Sequence, residues 1–447
     1  RELALAGADV TVLERDNIVG GISRTEEHNG FRFDVGPHRF FTKIAEVDRI
    51  WHEILGEDFF TVDRLTRIRF RGQLMDYPLS IGSTLSALGV GDSVMAMLSY
   101  AWSRVHKVPE DSFEGWVTNR FGRRLYEHFF KTYSEKVWGM PCTELSADWA
   151  AQRIKSLSLM KAVRDALLQS GSSEATSLVR QFNYPKFGAG MLYERYQQQI
   201  EQDGGQVLLG HEVVGINRSG NRIESVSVHT PSGEATIEAD HFISTMPLDN
   251  LMLSISPAAP AEAVEGARNL RHRSLIAVDL IVDEPAPFPD QWIYVHDSEV
   301  QVGRIQCYVN WSPHMVPEEA TCGIGMEYFA WTSDPIWTME DDAIVEMAAA
   351  ELEKLGLAPA ESVREGFSIR VPDAYPVYDP GYRERVATIR KWLDGIENLQ
   401  TIGRGGQHRY NNMDHSVLTG MLAARNILGE DNDVWAVNTE EDYLERK

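Results

Sequence analysis

The stretch from Ala8 to Thr25, ADVTVLERDNIVGGISRT, decides the fold. Ala8–Glu14 is a short, valine-bearing apolar run that closes on an acid, and it reads as a buried parallel strand. Ahead of it, Arg1–Gly7 reads as the second half of a helix ended by a glycine C-cap. Helix, glycine, strand and acid form the latter part of a βαβ dinucleotide-binding unit. In that unit a G-x-G-x-x-G turn precedes the helix, and the acid follows about 20 residues later. Counting back from Glu14 puts the turn before Arg1. With no initiating Met, the sequence is expected to be truncated at its N-terminus. Past the strand, Glu14 is placed to take a ribose diol, with Arg15 beside it. Gly20-Gly21 lets backbone approach a pyrophosphate, and Arg24 can neutralise it. Spacing alone leaves two alternatives open: an ordinary strand-to-loop turn with a solvated Arg24, or an NAD site, which Glu14 suits equally well.

Composition narrows the setting. A chain of 447 residues predicts two or three domains. Lys and Arg number 43 against 66 Asp and Glu, a formal charge of −23. Such a surface repels nucleic acid and anionic lipid at long range, so a phosphate-bearing ligand has to be held by local groups. Three cysteines (Cys142, Cys307, Cys322), without a C-x-x-C pair or zinc spacing, fit core thiols in a reducing cytoplasm and no metal site. No run of about 18 apolar residues predicts a spanning helix. The best membrane candidate, Val90–Val105, is short and interrupted by Asp92 and Ser99, and reads as a buried or substrate-domain helix.

Along the chain, residues 45–200 look mainly helical, notably Ser112–Tyr133 and Ala147–Leu168 behind a Ser146 cap, with a Ser/Gly-rich loop at Ser170–Thr176. From Gln206 the period changes to that of strands: Gln206–Leu209, Glu212–Asn217, Arg222–His229 and Ala235–Glu238, then a buried strand at His241–Thr245. Ser274–Val282, Trp292–His296, Arg304–Trp311 and Gly323–Trp331 predict a second sheet. Asp341–Leu355 predicts a helix, Leu399–Ile402 a strand and Ser416–Leu428 a final helix. The expected class is α/β, a Rossmann-like domain interleaved with a mixed α+β substrate domain. The first is expected over 1–60, 201–255 and 385–447, and the second over 61–200 and 256–384, with the ligand cleft between them.

Two further blocks carry chemistry. Gly403–Ser416 (GRGGQHRYNNMDHS) runs from a strand into the last helix. Gly403 permits close approach, Arg404 is a cation, and Asp414 or Ser416 can cap the helix, with Asn412 and Met413 in the same turn. The helix N-terminus then faces an anionic group. The third block is Asp34-Val35-Gly36-Pro37-His38-Arg39-Phe40. There His38 is either a ligand-side imidazole or a histidine satisfied by backbone.

With Glu14–Thr25, these blocks resemble the flavin amine-oxidase and protoporphyrinogen-oxidase-like FAD proteins. The 403–416 run, Gly36-Pro37-His38, Tyr133–Arg153 and Tyr184–Leu192 are similar to UDP-galactopyranose mutases. The resemblance runs in patches over nearly the whole chain and is weakest over 257–363. It implies FAD as cofactor, a glutathione-reductase-type three-layer domain, backbone contact to the adenine at Val213, and Gly36, Pro37 and His38 beside the isoalloxazine.

Substrate groups are expected from Arg304, Arg370 and Arg409 on a diphosphate, with Tyr410 nearby. An aromatic wall of Tyr294, Tyr308, Tyr328, Tyr375 and Tyr378 is expected, with 370–379 a rigid loop. His38, Tyr375 and Tyr378 are the catalytic candidates. The leading expectation is an FAD-dependent oxidoreductase moving hydride from a small-molecule substrate (an amine, nucleotide-sugar or polyene) to flavin N5. The alternative is a redox-neutral sugar-nucleotide mutase, in which the resemblance implies that reduced N5 attacks the anomeric carbon. A non-catalytic nucleotide-binding protein is a third reading, disfavoured by the intact Gly36–His38 segment.

Overall fold

Thr11–Glu14 pairs in parallel with Gln206–Leu209, and Phe242–Ser244 pairs in parallel with Leu399–Thr401. A computed structural model of the chain describes residues 1–77, 81–154, 181–317 and 321–439. The two parallel pairs join segments 195 and 157 residues apart, which is the interleaving expected from the strand order. Beside them, Gly233–Glu238, Arg222–Thr230, Glu212–Ser219 and Ile255–Ser256 form a four-stranded sheet whose first three strands are an antiparallel meander. The core of this part packs Leu248, Leu251 and Met252 against Ile389, Leu393 and Ala423 of the C-terminal helices.

The second part is a seven-stranded sheet in the order Val363–Pro376, His272–Val282, Cys322–Ala330, Arg304–Cys307, Trp292–Val295, Thr66–Phe70 and Gln73–Asp76. His272–Val282 is buried along its whole length and bonded on both sides, as a central strand of Leu, Ile, Ala and Val should be. The Asp341–Lys354 helix packs on this sheet through Ile344, Ala348 and Leu352. A third core joins the two parts. It packs Phe31, Phe33, Trp51 and Tyr184 with Trp292, Trp311 and Met413.

Several expectations are corrected. The 45–200 region is not uniformly helical. Phe59–Asp63 pairs with Gln181–Pro185, and Thr66–Phe70 with Gln73–Asp76 through an Arg71-Gly72 turn, both residues at positive φ. The Ser112–Tyr133 helix breaks at Gly122 (φ 84) into Phe113–Phe121 and a short turn, which leads into a π-helix over Tyr126–Lys131. Ser112 caps it by accepting from the Gly115 amide. The 370–379 loop is mostly strand: Val363–Pro376 runs 14 residues along the sheet edge, and its alternating apolar pattern is masked by Pro372 and Asp373. The Ile81–Val105 helix is broken at Gly89 (φ 74). Ala147–Ile154 is helical; the rest of that expected helix and Ser170–Thr176 lie outside the described residues.

Candidate functional site

Three glycine-bearing turns meet near the junction of the two parts. Gly20 (φ 109) and Gly21 (φ 56) both need the left-handed backbone that glycine adopts freely. A Cβ on Gly20 would stand 3.1 Å from the Arg24 Cα, whereas Gly21 faces open space. Gly403 (φ 77) also faces open space, and its amide donates to the Thr419 hydroxyl at 3.0 Å. Gly36 (φ 97) lies 3.8 Å, at its Cβ position, from the Glu327 carboxylate and the His38 Nε2.

Around these turns the side chains divide into clamps and open groups. Glu14 ends its strand half-buried and accepts from the Asp16 amide at 2.9 Å; desolvation raises its pKa. Arg15 is exposed beside Asp16. Arg24 is held by Glu26 at 2.6 Å and Asp16 at 3.4 Å, so its charge is already balanced. Val213 stands two residues past His211, whose amide donates to the Glu14 carbonyl. His38 directs Nε2 at the carbonyls of Ile22 (2.7 Å) and Val35 (3.0 Å). Two carbonyl acceptors require Nε2 to carry the proton, so His38 is the neutral clamp between the Gly20–Ser23 turn and Gly36. Desolvation lowers its pKa to about 4, helped by Arg404 and Arg304. This geometry corrects the expected catalytic role: the imidazole positions backbone.

At the C-terminal block the cap is Asn412. The His415 Nδ1 accepts from the Asn412 amide, and the His415 amide donates to the Asp414 carboxylate at 2.9 Å. Asp414, expected as the cap, lies inside the first turn, and its other carboxylate oxygen accepts from the Thr42 hydroxyl at 2.9 Å, tying the helix to the Ala45–Leu55 approach. Met413 joins the core between the parts. Ser416 lies in the first turn, its amide donating to the Asn412 carbonyl.

The densest polar cluster lies on the sheet side of Gly36. Arg304 and Glu327 oppose each other on neighbouring antiparallel strands and form a buried ion pair. Arg304 also donates to the Tyr375 hydroxyl at 2.8 Å, and Gln306 donates to Glu327 at 3.1 Å. Burial alone would lower the Arg304 pKa, but Glu327 with the Tyr375, Tyr133 and Tyr410 hydroxyls outweighs it and keeps the guanidinium charged. Tyr375 and Tyr410 lie nearly parallel, 5.7 Å apart at 21°, with Trp149 4.9 Å from Tyr410. The Arg404 guanidinium sits over both rings, 5.5 Å from Tyr375 and 4.5 Å from Tyr410. It donates to the Asn411 carbonyl at 2.8 Å and has no carboxylate partner among the described residues.

Other expected groups are elsewhere. Arg370 is tied to Asp341, Ser368 and the carbonyls of Trp337 and Met339 beside the Asp341–Lys354 helix. Arg409 donates to the carbonyls of Trp435 and Val437, and desolvation lowers its pKa. Neither meets Arg304, so the three expected arginines do not gather at one place. Tyr378 accepts from the Tyr410 amide and stacks on Tyr382, supporting the cluster from behind. Tyr308 and Tyr328 are core tyrosines bonded to Asp34 and Glu351. Tyr294 packs on Tyr77 and Tyr133. Sequence reasoning missed Glu327, although a lone acid inside the apolar Cys322–Ala330 strand was a signal. It also missed Asp34, buried and bonded by Thr25, Tyr184 and the Ala189 amide; burial lifts its pKa to about 6.

Comparison with known proteins follows this geometry. The model of the flavin-containing amine oxidoreductases matches residues 1–428, and the chain belongs to that family. A probable UDP-galactopyranose mutase from Klebsiella pneumoniae is 28% identical over 155 residues, 33% of this chain and 39% of the mutase. The chain thus matches well under half the length of that curated relative. Among solved structures, reduced UDP-galactopyranose mutase aligns with a TM-score of 0.83 at 20% identity, covering 98% of this chain and 92% of the mutase. A putative protoporphyrinogen oxidase from Exiguobacterium sp. 255-15 aligns with 0.71 at 17%, covering 96% and 95%. Putrescine oxidase aligns with 0.62 at 16%, covering 96% and 95%. The fold is that of the FAD-dependent oxidases and mutase, and the cofactor is FAD. The residues present fit it: a carboxylate ends the strand before the left-handed Gly20-Gly21 turn, Gly21 and Gly403 face open space, and the Met413–Ile427 helix begins shortly after Gly403.

Proposed function

We propose that the chain is an FAD-dependent mutase acting on a sugar nucleotide of the UDP-galactopyranose kind. The observation that carries this reading is Arg404. Its guanidinium, bonded only to carbonyls among the described residues, already lies over the Tyr375 and Tyr410 rings, where an ammonium substrate would meet like charge, while an anionic substrate gains an ion pair. The similarity to UDP-galactopyranose mutases supports the same choice. The expected order, oxidoreductase before mutase, is therefore reversed.

In this reading Glu14, Gly20, Gly21 and Gly403, with the Asn412 helix cap, would hold FAD. The interleaved division of the chain into FAD and substrate parts belongs to the same proposal. FAD, when bound, supplies a ring system that donates an electron pair to a sugar carbon when reduced, or accepts hydride in an oxidase. Arg404 holds a substrate phosphate, and the Arg304–Glu327 pair fixes the Tyr375 hydroxyl toward the sugar. Tyr410 and Trp149 cover the site from water. His38 keeps Gly36 and the Gly20–Ser23 turn in register.

Hydride transfer remains a second reading, favoured by the near-parallel Tyr375–Tyr410 pair, which also suits a flat unsaturated substrate. The discriminating experiment titrates UDP-galactose into reduced and oxidised holoenzyme by fluorescence polarisation and follows ring interconversion by chromatography. The mutase reading expects binding and turnover in the reduced form, with Arg404→Met weakening binding about tenfold or more. Absence of UDP-sugar binding, together with flavin bleaching by amines or polyenes, would overturn it in favour of the oxidase.

A further inference from the structure

The second half of the Ile81–Val105 helix is inside-out. Its inward side carries Ser93, Ala96 and Ser103, all buried, with Asp92 and Ser99 turned the same way. Asp92 is paired with Arg124 and Arg71, and the Ser99 hydroxyl accepts from the Arg124 amide. The outward side carries Val90, Val94, Met95, Met97, Leu98, Trp102 and Val105, each at least half exposed, from 51% at Val94 to 84% at Val90. At 100° per residue these positions fill one continuous half of the helix. A helix that buries its serines and aspartate and exposes its valine, methionine, leucine and tryptophan reverses the pattern of a protein surface in water.

We propose that this face docks the protein onto a lipid bilayer surface, the helix lying in the interface plane. Three observations select lipid. The face from Val90 to Val105 is about 24 Å long and about 10 Å wide, roughly 240 Å² in projection. A single-helix strip of that length and width suits a helix seated in the headgroup boundary. Next, the charged residues from Val90 to Val108 are Asp92, Arg104 and Lys107. The acid is neutralised inward, so the face offers a bilayer no carboxylate to desolvate. Finally, Trp102, stacked on His106 at 3.7 Å, stands beside Arg104 and Lys107 at the helix end, the mixture of aromatic and basic groups that suits the interface. Because the chain carries −23 overall, attachment is driven by apolar burial, and a zwitterionic surface serves it better than an anionic one.

The helix also borders the interior. Arg71 and His128, which adjoin Asp92, line a cavity of about 500 Å³ with His296 and Asp297. His296 stacks on Tyr133 at 4.6 Å, and Tyr133 adjoins the Arg304 cluster. Docking therefore sets this cavity close to the lipid surface. The inference stands independently of the reaction proposed above.

The test uses the full-length holoenzyme and phosphatidylcholine vesicles in a flotation gradient at 0.5 M NaCl, where surface charge is screened. The wild-type protein is expected to float. Val94→Glu with Leu98→Glu should reduce flotation about tenfold or more while circular dichroism stays unchanged. Vesicles carrying brominated acyl chains should quench part of the tryptophan emission in wild-type protein, and Trp102→Phe, which leaves the face apolar, should float yet lose that quenching. Failure of wild-type protein to float, undiminished flotation of the glutamate variant, or quenching that survives Trp102→Phe overturns the proposal. So does light scattering that shows a wild-type dimer converted to monomer by the glutamates, since a second copy then covers the face.

Discussion

Single buried side chains set the pH response. His296 and His408 are almost fully buried and held neutral; desolvation lowers both pKa values to about 3, helped at His296 by Lys136 and at His408 by His272. For a base whose folded pKa lies below its ordinary 6.5, the unfolded chain binds more protons as pH falls. Stability is intact above 6.5 and is lost on the way down toward 3. At pH 5 each imidazole should cost on the order of 2 kcal/mol. Asp34 acts with the opposite sign: its raised pKa of about 6 favours the fold at low pH, and that contribution fades as pH rises from 3.8 to 6. Urea denaturation at pH 7 and pH 5 should therefore show a net loss at pH 5, reduced in His408→Gln. An equal pH slope in the variant removes the assignment. His296 and His408 were illegible in the sequence because burial outside a regular element leaves no periodic mark. By contrast, Gly20, Gly21 and Gly403 were readable, since a left-handed turn beside a ligand leaves few other choices.

At the scale of elements, backbone approach matters most where Gly122 meets the inside-out helix. A Cβ there would lie 2.7 Å from the Tyr100 amide nitrogen and 2.9 Å from the Ser99 carbonyl carbon, at φ 84. Neither neighbour is a side chain that can swing away. Gly122→Ala should lower stability by about 2–4 kcal/mol, read as a drop in the thermal midpoint; a midpoint within a degree of wild type shows that the two segments separate freely. Strands with clean alternation or uniform apolarity were legible, including Gln206–Leu209 and His272–Val282. Val363–Pro376 was not, because Pro372 and Asp373 (φ 55) imitate loop chemistry inside an edge strand that tolerates them. The Thr66–Phe70 and Gln73–Asp76 hairpin was hidden by its arginines, whose charges are matched by Asp290 and Asp297 far along the chain.

Across the whole molecule, the groups proposed to hold FAD come from opposite ends of the sequence, Glu14–Gly21 and Gly403–Asn412. Ligand that bridges them binds the folded state alone. FAD at a hundredfold excess over its Kd should add about 2.7 kcal/mol to stability. A calorimetric scan with and without FAD measures this, and no shift in the midpoint at saturation argues that the two ends do not share the cofactor. The interleaving was legible because strand signals stop and resume; the Arg304–Glu327–Tyr375 site was not, because it forms by register across three strands of one sheet. That register has an evolutionary consequence. The groups proposed for the substrate ride on a sheet whose hydrogen bonds fix their spacing, while the glycine turns belong to separate segments. Exchanging outward side chains along the strands can therefore retune which molecule is accepted without disturbing the cofactor seat. An insertion within Val363–Pro376 would instead turn Tyr375 to the opposite face. Divergence in this lineage should accordingly proceed by substitution in the sheet and by length change in the loops.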